Sequence, residues 1–404
     1  MDTVFVYPPT VEKRLFFMNV HAVRTHAPSH AYEVVSAFLR KNAVLVIALA
    51  LAVVSACIVP PDAQYAAYYD LKTLACLFVT LAVVCALKNI RFFSILAQRI
   101  IMLTGTARMA GLALIYITFI GSMLIANDMA LITFLPLGYF VFSVAGTKKD
   151  MATVFILQNI AANLGGMLTP FGNPQNLYLY SHFNIPTGEF MNIMLWPFLV
   201  SVMLMTACCL FIPNRNLRIS TVEGEEQYKL PVKRTVFYLA LFAMSLLMVF
   251  RVLPVLPVLL ITVAALLLSD KKALRMVDYG LLLTFVCFFT FAGNMARIDA
   301  VRMFFGNLLE KSTLLTAVLS CQCISNVPTS ILLSQFTENY PALLVGVNIG
   351  GAGTLIASLA SLITFREYTS HYQEESKNYI VRFSAFNFGF LLILVLFSLF
   401  ILRI

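Results

Sequence analysis

The chain is 404 residues long, 60% hydrophobic and only 12% charged, with a mean hydropathy of +0.87 and a formal net charge of +9. Soluble globular domains are closer to a quarter charged, and the many long apolar stretches here, about eighteen residues or more with at most one charge, read as transmembrane helices. A soluble domain is excluded, and the basic excess points to loop lysines and arginines that orient helices rather than to nucleic acid.

Residues 1–41 are too polar and too long ahead of the first apolar run for a signal peptide. Their Lys13, Arg14, Arg24, Arg40 and Lys41 predict a cytoplasmic N-terminal segment. His21, His26 and His30 have no helical spacing and read as solvated. The first span is predicted over 42–59 and the return over 71–87, joined by an outer loop, PPDAQYAAYYD. Residues 90–103 mix basic residues with aromatics and aliphatics, as a helix lying along the interface would.

The stretch 108–144 has Arg108 before it, Lys148 and Lys149 after it, and the polar Asn127-Asp128 pair in its middle. Met-Ala-Leu-Ile follows Asp128 at once and leaves no room for an aqueous loop, so a re-entrant hairpin is expected. Residues 151–180 then cross outward, broken by TPFGNPQN, where Pro170 and Pro174 remove donors and Gly172 frees the backbone. A span at 190–211 returns to a polar basic connector at 214–234.

The second half repeats the plan upside down. Spans are expected at 236–250, 255–268 and 279–291, and a second amphipathic segment at 295–309. A hairpin over 312–333 has SNVPTS at its tip, 341–364 is broken by NIGGAGT, and the last span is 379–401. The halves are then inverted repeats, 42–213 and 235–404. Cysteines 57, 76, 85, 208, 209, 287, 321 and 323 lie nearly all in apolar runs, without zinc spacing or a disulfide framework, and read as packing residues. Cys321 and Cys323, directly before SNVPTS, would offer thiolates to a soft oxyanion.

Each half thus carries a polar break followed by an Asn-x-Gly-Gly break: Ala126–Asp128 with Asn163–Asn176, and Ser325–Ser330 with Asn348–Thr354. Paired interrupted segments in two halves of a membrane protein mark a transport site. Broken helices aim N-termini at anions, while freed carbonyls and Asn or Ser oxygens suit a small hard cation. Asn127, Asp128, Gly172 and Asn173 form one candidate Na+ site; Ser325, Asn326, Gly351 and Thr354 form its counterpart. Asp128 is the one acidic residue placed well inside the membrane, where carboxylates usually serve ion or proton traffic; capping of the helix at Met129 is its structural alternative. Close packing is the alternative for the glycine pairs. Gln158, Asn159 and Asn294 are as well explained by interhelical hydrogen bonds.

ANDMALITFLPL with NLGGMLTPFGNPQN, and SNVPTS with NIGGAGT, resemble the ion transporter superfamily of citrate-transporter-like permeases, divalent-anion/sodium symporters, arsenite permeases and sodium/proton antiporters. The resemblance spans roughly residues 40–400. It implies an all-α homodimer in which a scaffold carries mobile transport domains that slide like an elevator, with the amphipathic segments as connecting arms. It also implies that substrate and coupling ions meet Asn127, Asp128, Thr169, Gly172, Asn173, Pro174 and Asn176 in one half. In the other half they meet Ser325, Asn326, Thr329, Asn348, Gly350, Gly351 and Thr354. The first tip departs from the Ser-Asn-Thr tips of the dicarboxylate symporters: its Asp128 resembles the arsenite permease and antiporter branches.

The expected function is secondary transport of a small anion, a carboxylate or an inorganic oxyanion, coupled to Na+ or H+. A Na+/H+ antiporter and an arsenite efflux permease are the alternatives. No cofactor is expected beyond the coupling ion. Scattered histidines and the lack of a His-Glu metal helix or phosphate loop argue against a membrane enzyme. Short loops and tails suit a prokaryotic inner membrane.

Overall fold

The computed structural model describes residues 42–145, 148–216 and 230–402. The expected N-terminal segment 1–41 and most of the connector 214–234 lie outside them. The described residues form no strand, only an isolated bridge between Thr106 and Asn216. Seven of their helices are long and apolar enough to cross a membrane.

Helices α1 (Ala43–Ile58) and α2 (Leu71–Asn89) flank a short 3-10 turn, Ala63–Tyr68. That loop is pinned to the far end of α12 (Tyr279–Ala296): Asn294 Nδ2 donates to Ser55 Oγ (3.1 Å) and to the Tyr65 hydroxyl (2.9 Å). Arg297 pairs with Asp62 at 2.7 Å and holds its carboxyl below the usual range. Helix α3 (Phe92–Met102) falls within the segment expected to lie along the interface and is buried on one side through Phe93, Ile95, Ala97 and Ile101.

Next come α4 (Ala107–Ile125) and α5 (Asn127–Ala145), separated by the single residue Ala126. Then α6 (Lys148–Gly165) breaks through a 3-10 turn and an irregular stretch before α7 (Pro174–His182) resumes. The start of α4, the start of α6 and the end of α8 (Thr187–Leu210) lie together. Ala107 N–H donates to the Arg215 carbonyl (2.8 Å), Arg108 Nε donates to the Ile212 carbonyl (2.8 Å), and Asp150 faces Arg215 at 3.6 Å.

After the connector come α9 (Val232–Val249), α10 (Val255–Ser269) and a short helix α11 (Lys271–Arg275). Asp270 caps α11, accepting from Ala273 N–H at 3.1 Å. The amphipathic segment begins later than expected. Met295 and Ala296 complete α12, extended backbone at Ile298 ends that run, and α13 (Asp299–Ile324) starts on an acidic first turn. Helix α13 kinks at Ser312, whose Oγ accepts from Leu315 N–H at 3.3 Å, as a cap does where a helix restarts. Ser325 alone separates α13 from α14 (Asn326–Leu333). Helix α15 (Tyr340–Ile349) breaks and resumes as α16 (Leu359–His371), and α17 (Ser376–Leu402) closes the chain.

Two lobes result. Helices α1, α2 and α9–α12 pack on one another, α4–α8 with α13–α17 form the second lobe, and the lobes meet mainly along α2–α7 and α12–α14. A hydrophobic cluster seats the α4–α5 tip, through Ile125, Ala130 and Phe134, against α2, α9 and α11. Arg251, just past α9, also crosses between lobes: its guanidinium lies 4.1 Å over the Tyr180 ring, and Nη2 donates to the Tyr180 carbonyl at 2.6 Å.

Gly172 is fixed by close backbone approach, because a Cβ there would run into the Gly166 carbonyl oxygen across the first break. Gly172→Ala therefore overpacks two backbone segments that cannot give way, at a cost of about 1–3 kcal/mol. A lowered thermal midpoint in detergent checks this; an unchanged midpoint counts against the tight packing of the break.

Candidate functional site

The two helix–helix tips have the same local geometry. Ala126 sits at φ 63°, ψ 155° and Ser325 at φ 73°, ψ 160°. Residues other than glycine occupy that region only where the surroundings enforce it. Each tip is followed by an asparagine whose Oδ1 accepts from the next backbone N–H: Asn127 from Asp128 at 3.0 Å, Asn326 from Val327 at 2.9 Å. ANDM and SNVP thus build one turn twice.

Each tip is laced to the break of the following broken helix. In the first half, Thr169 Oγ1 donates to the Met123 carbonyl (3.3 Å) and Asn127 Nδ2 to Asn163 Oδ1 (3.3 Å). In the second, Thr354 Oγ1 donates to the Gln322 carbonyl (3.1 Å), and Asn326 N–H and Ser325 Oγ both donate to the Ala357 carbonyl (3.0 and 3.2 Å). Met123 and Gln322 both stand three residues before their tips.

A chain of asparagines joins the two halves. Asn173 Nδ2 reaches the Asn163 carbonyl and Asn348 Oδ1, each at 3.4 Å, and Asn348 Nδ2 donates to Asn176 Oδ1 at 2.6 Å. Asn176 Nδ2 in turn holds the freed carbonyls of Gly166, Met167 and Thr169 at 3.0–3.3 Å. Asn326 closes the group: a Cβ on Gly351 would lie 3.1 Å from its Nδ2 and 3.8 Å from Asn163 Oδ1. Asn127, Asn163, Asn173, Asn176, Asn326 and Asn348 are all buried.

Of the residues singled out in the sequence, the structure brings Asn127, Thr169, Gly172, Asn173, Asn176, Ser325, Asn326, Asn348, Gly350, Gly351 and Thr354 into this one neighbourhood. Pro174 opens α7 there. Thr329 is buried but bonds back to the Ser325 carbonyl at 2.7 Å, inside its own hairpin arm. Asp128 lies beside Asn127 at the start of α5, takes part in no ion pair among the described residues, and has a buried Oδ1 without a hydrogen-bond partner among them. Unpartnered buried atoms also remain on Asn163 (Nδ2), Asn173 (Oδ1) and Gln175 (Oε1). Gln158, Asn159 and Asn294 make interhelical hydrogen bonds, to Thr118, to Asn387 and to Ser55.

Sequence reasoning missed two residues as participants. Asn163 was visible as the counterpart of Asn348 in the repeated Asn-x-Gly-Gly pattern. Gln322 had only its place between two cysteines to recommend it, yet its Nε2 donates to the Gly350 carbonyl at 2.8 Å and its Oε1 accepts from Thr354 N–H at 2.8 Å.

The site's chemistry follows from this geometry. Helices α5, α7, α14 and α16 start at the cluster while α4, α6, α13 and α15 end at it, so both signs of helix-end charge converge. Between them stand neutral amides and hydroxyls with one carboxylate, and no Lys, Arg or His bonds to any of the clustered side chains among the described residues. A cleft of about 360 Å³ lies between the lobes, lined by Tyr68, Tyr69 and Asp70 on one side and Tyr178, His182 and Gln335 on the other. Tyr178 is two residues beyond Asn176.

Comparison with known proteins gives the family. Residues 34–345 match the citrate transporter family. The chain is 33% identical to an uncharacterized transporter of Methanocaldococcus jannaschii, over 73% of this chain and 80% of the relative. It is 27% identical to the inner membrane protein YbiR of Escherichia coli K12, over 68% of this chain and 74% of that one. The chain belongs to the citrate transporter family and is an integral membrane transporter.

The asparagine chain has a measurable weak point. Asn348→Ala removes the partner of Asn176 Oδ1 and of Asn173 Nδ2, and each buried polar group left unmet costs about 1–3 kcal/mol. A clear fall in thermal midpoint is expected, with a smaller one for Thr329→Val, whose hydroxyl bonds to the Ser325 carbonyl within its own hairpin. Equal effects from the two would remove the special place given to Asn348.

Proposed function

We propose that this member of the citrate transporter family is a secondary active transporter that moves a small anion, a carboxylate or an inorganic oxyanion, coupled to Na+ or H+. The observation that carries the reading is the meeting of two tips and two helix breaks at one buried cluster of asparagines, with four helix N-termini and the freed carbonyls around it. Helix N-termini favour an anion, and carbonyl and amide oxygens favour a hard cation. A small anion and its coupling ion offset each other's charge in such a site, which carries no fixed positive side chain.

On this reading the two halves are inverted repeats, the tips are re-entrant, and 1–41 and 214–234 face the cytoplasm, as the positive-inside rule favours. The lobe of α4–α8 and α13–α17 moves as an elevator against the lobe of α1, α2 and α9–α12, in a homodimer. Support comes from the placement of the whole cluster within one lobe, and from α3 and the first part of α13 as arms at the corresponding place in each half. The archaeal and bacterial relatives favour a prokaryotic plasma membrane. Asp128 supports a second reading, a Na+/H+ antiporter, because a carboxylate in no ion pair is suited to exchange one cation for another.

The discriminating experiment is thermal stability of the purified protein with Na+, Li+ or K+ at two pH values, each with and without citrate, succinate, sulfate, phosphate or arsenite. Ligands that bind the folded state raise its midpoint by mass action. Stabilisation by an anion only when Na+ is present, or only at the lower pH, is the expected result. Stabilisation by Na+ or Li+ alone, stronger at high pH and indifferent to every anion, turns the assignment to the antiporter. Asp128→Asn separates the two again: the antiporter loses all exchange, whereas the anion carrier keeps anion binding with an altered pH profile.

A further inference from the structure

The two halves close the seam between tip and break differently. In the second half, Gln322 enters the seam from the hairpin. Its Nε2 donates to the carbonyls of Val318 (3.2 Å), Gly350 (2.8 Å) and Ala352 (3.2 Å), while Oε1 takes Thr354 N–H. The break is shaped around that amide: Gly353 stands at φ 129°, and a Cβ there would run into Gln322 Oε1. Thr354 Oγ1 and Ser325 Oγ are also bonded, to the carbonyls of Gln322 and Ala357.

In the first half the corresponding residue is Met123, whose side chain has no N–H to offer. There the break's carbonyls are held from behind by Asn176, and the seam itself has only the two 3.3 Å contacts of Asn127 and Thr169. Among the described residues, three buried oxygens without partners, Asp128 Oδ1, Asn173 Oδ1 and Gln175 Oε1, stand around this half's tip and break, against Ser361 Oγ at the start of α16 in the other half. A carboxamide NH2 carries its positive charge on two hydrogens and so meets carbonyl oxygens much as a small cation does. Buried polar groups that lack partners call for an explanation such as an ion.

We infer that cation coupling in this protein is one-sided: a single metal cation binds in the first half, beside Asn127 and Asp128, and the Gln322 carboxamide takes the place of a second cation between Gly350 and Thr354. The inference rests on the reading of a cation-coupled carrier and specifies its stoichiometry. It makes Gln322 a specificity-determining residue that substitutes for an ion instead of binding one.

Counting ions tests it. With Na+ or Li+ in excess over its Kd, thermal stabilisation of the purified protein rises with the logarithm of ion concentration, with a slope proportional to the number of ions bound. Wild type is expected to give the slope for one ion. Gln322→Glu replaces the NH2 by an oxygen that repels the Gly350 and Ala352 carbonyls unless a cation lies between, so the slope should double. Gln322→Ala, which opens the seam, should raise it in the same direction. A wild-type slope of two overturns the inference and leaves cation-coupled transport standing; a slope of zero overturns the inference and Na+ coupling together, leaving H+ as the coupling ion. If neither variant can be purified, the wild-type count still decides. A folded Gln322→Glu protein that keeps the single-ion slope also overturns it.

Discussion

Backbone groups set free in a buried interior must find partners within the protein, and the organisation of this site follows from that requirement. Four helices end and four begin at one place, each end exposing carbonyls and each start exposing N–H groups. Water cannot satisfy them as it would in a surface loop. Amide side chains do so because each offers a donor and an acceptor on a short, neutral arm. Asn176 gathers three carbonyls of the first break, Gln322 gathers two of the second, and Asn348 ties one break to the other. The cluster is therefore structural before it is functional.

The same groups give the site its electrical character. Dipoles and helix ends make it hospitable to charge of either sign, and no guanidinium or ammonium commits it to anions. Asp128 is the exception, set beside Asn127 at the start of α5, where a carboxylate also gains from the positive helix end. The tips hold the strain: Ala126 and Ser325 keep a backbone conformation that costs of order 1–3 kcal/mol each, and the bonds from tip to break offset that cost.

Around this fixed centre the lobes differ in how they are held. The lobe containing the cluster is bound together by side-chain hydrogen bonds across its own halves. The contact between lobes is largely apolar, with Arg251 over Tyr180 and the tip seated on α2 as its specific features. The cleft lined by Tyr69, His182 and Gln335 opens along that contact. Apolar contacts are not directional, so this contact fixes the lobes less specifically than hydrogen bonds fix the cluster.

The sequence determined the class and the parts. Hydropathy alone located the apolar helices, because a helix in lipid must be apolar along its length; it did not fix their lengths, since the expected spans 42–59 and 255–268 are short helices while Ala107–Ile125, expected as a hairpin arm, is long and apolar enough to cross. The breaks were legible because Gly, Pro and Asn inside such a run have no other reason to be there. Duplication of Asn-x-Gly-Gly made Asn163 the visible counterpart of Asn348, although not its contact with Asn127. Only the tertiary structure decided which side chains meet. Asn348 and Asn176 are far apart in the chain and touch because α15 packs against α7. Gln322 looked like an ordinary residue between two cysteines until its helix was set against the Gly350–Thr354 loop. Thr329, marked by its motif, turned back on its own arm. A motif records where the backbone must be released; the partner that satisfies it comes from another helix, and local sequence does not specify which.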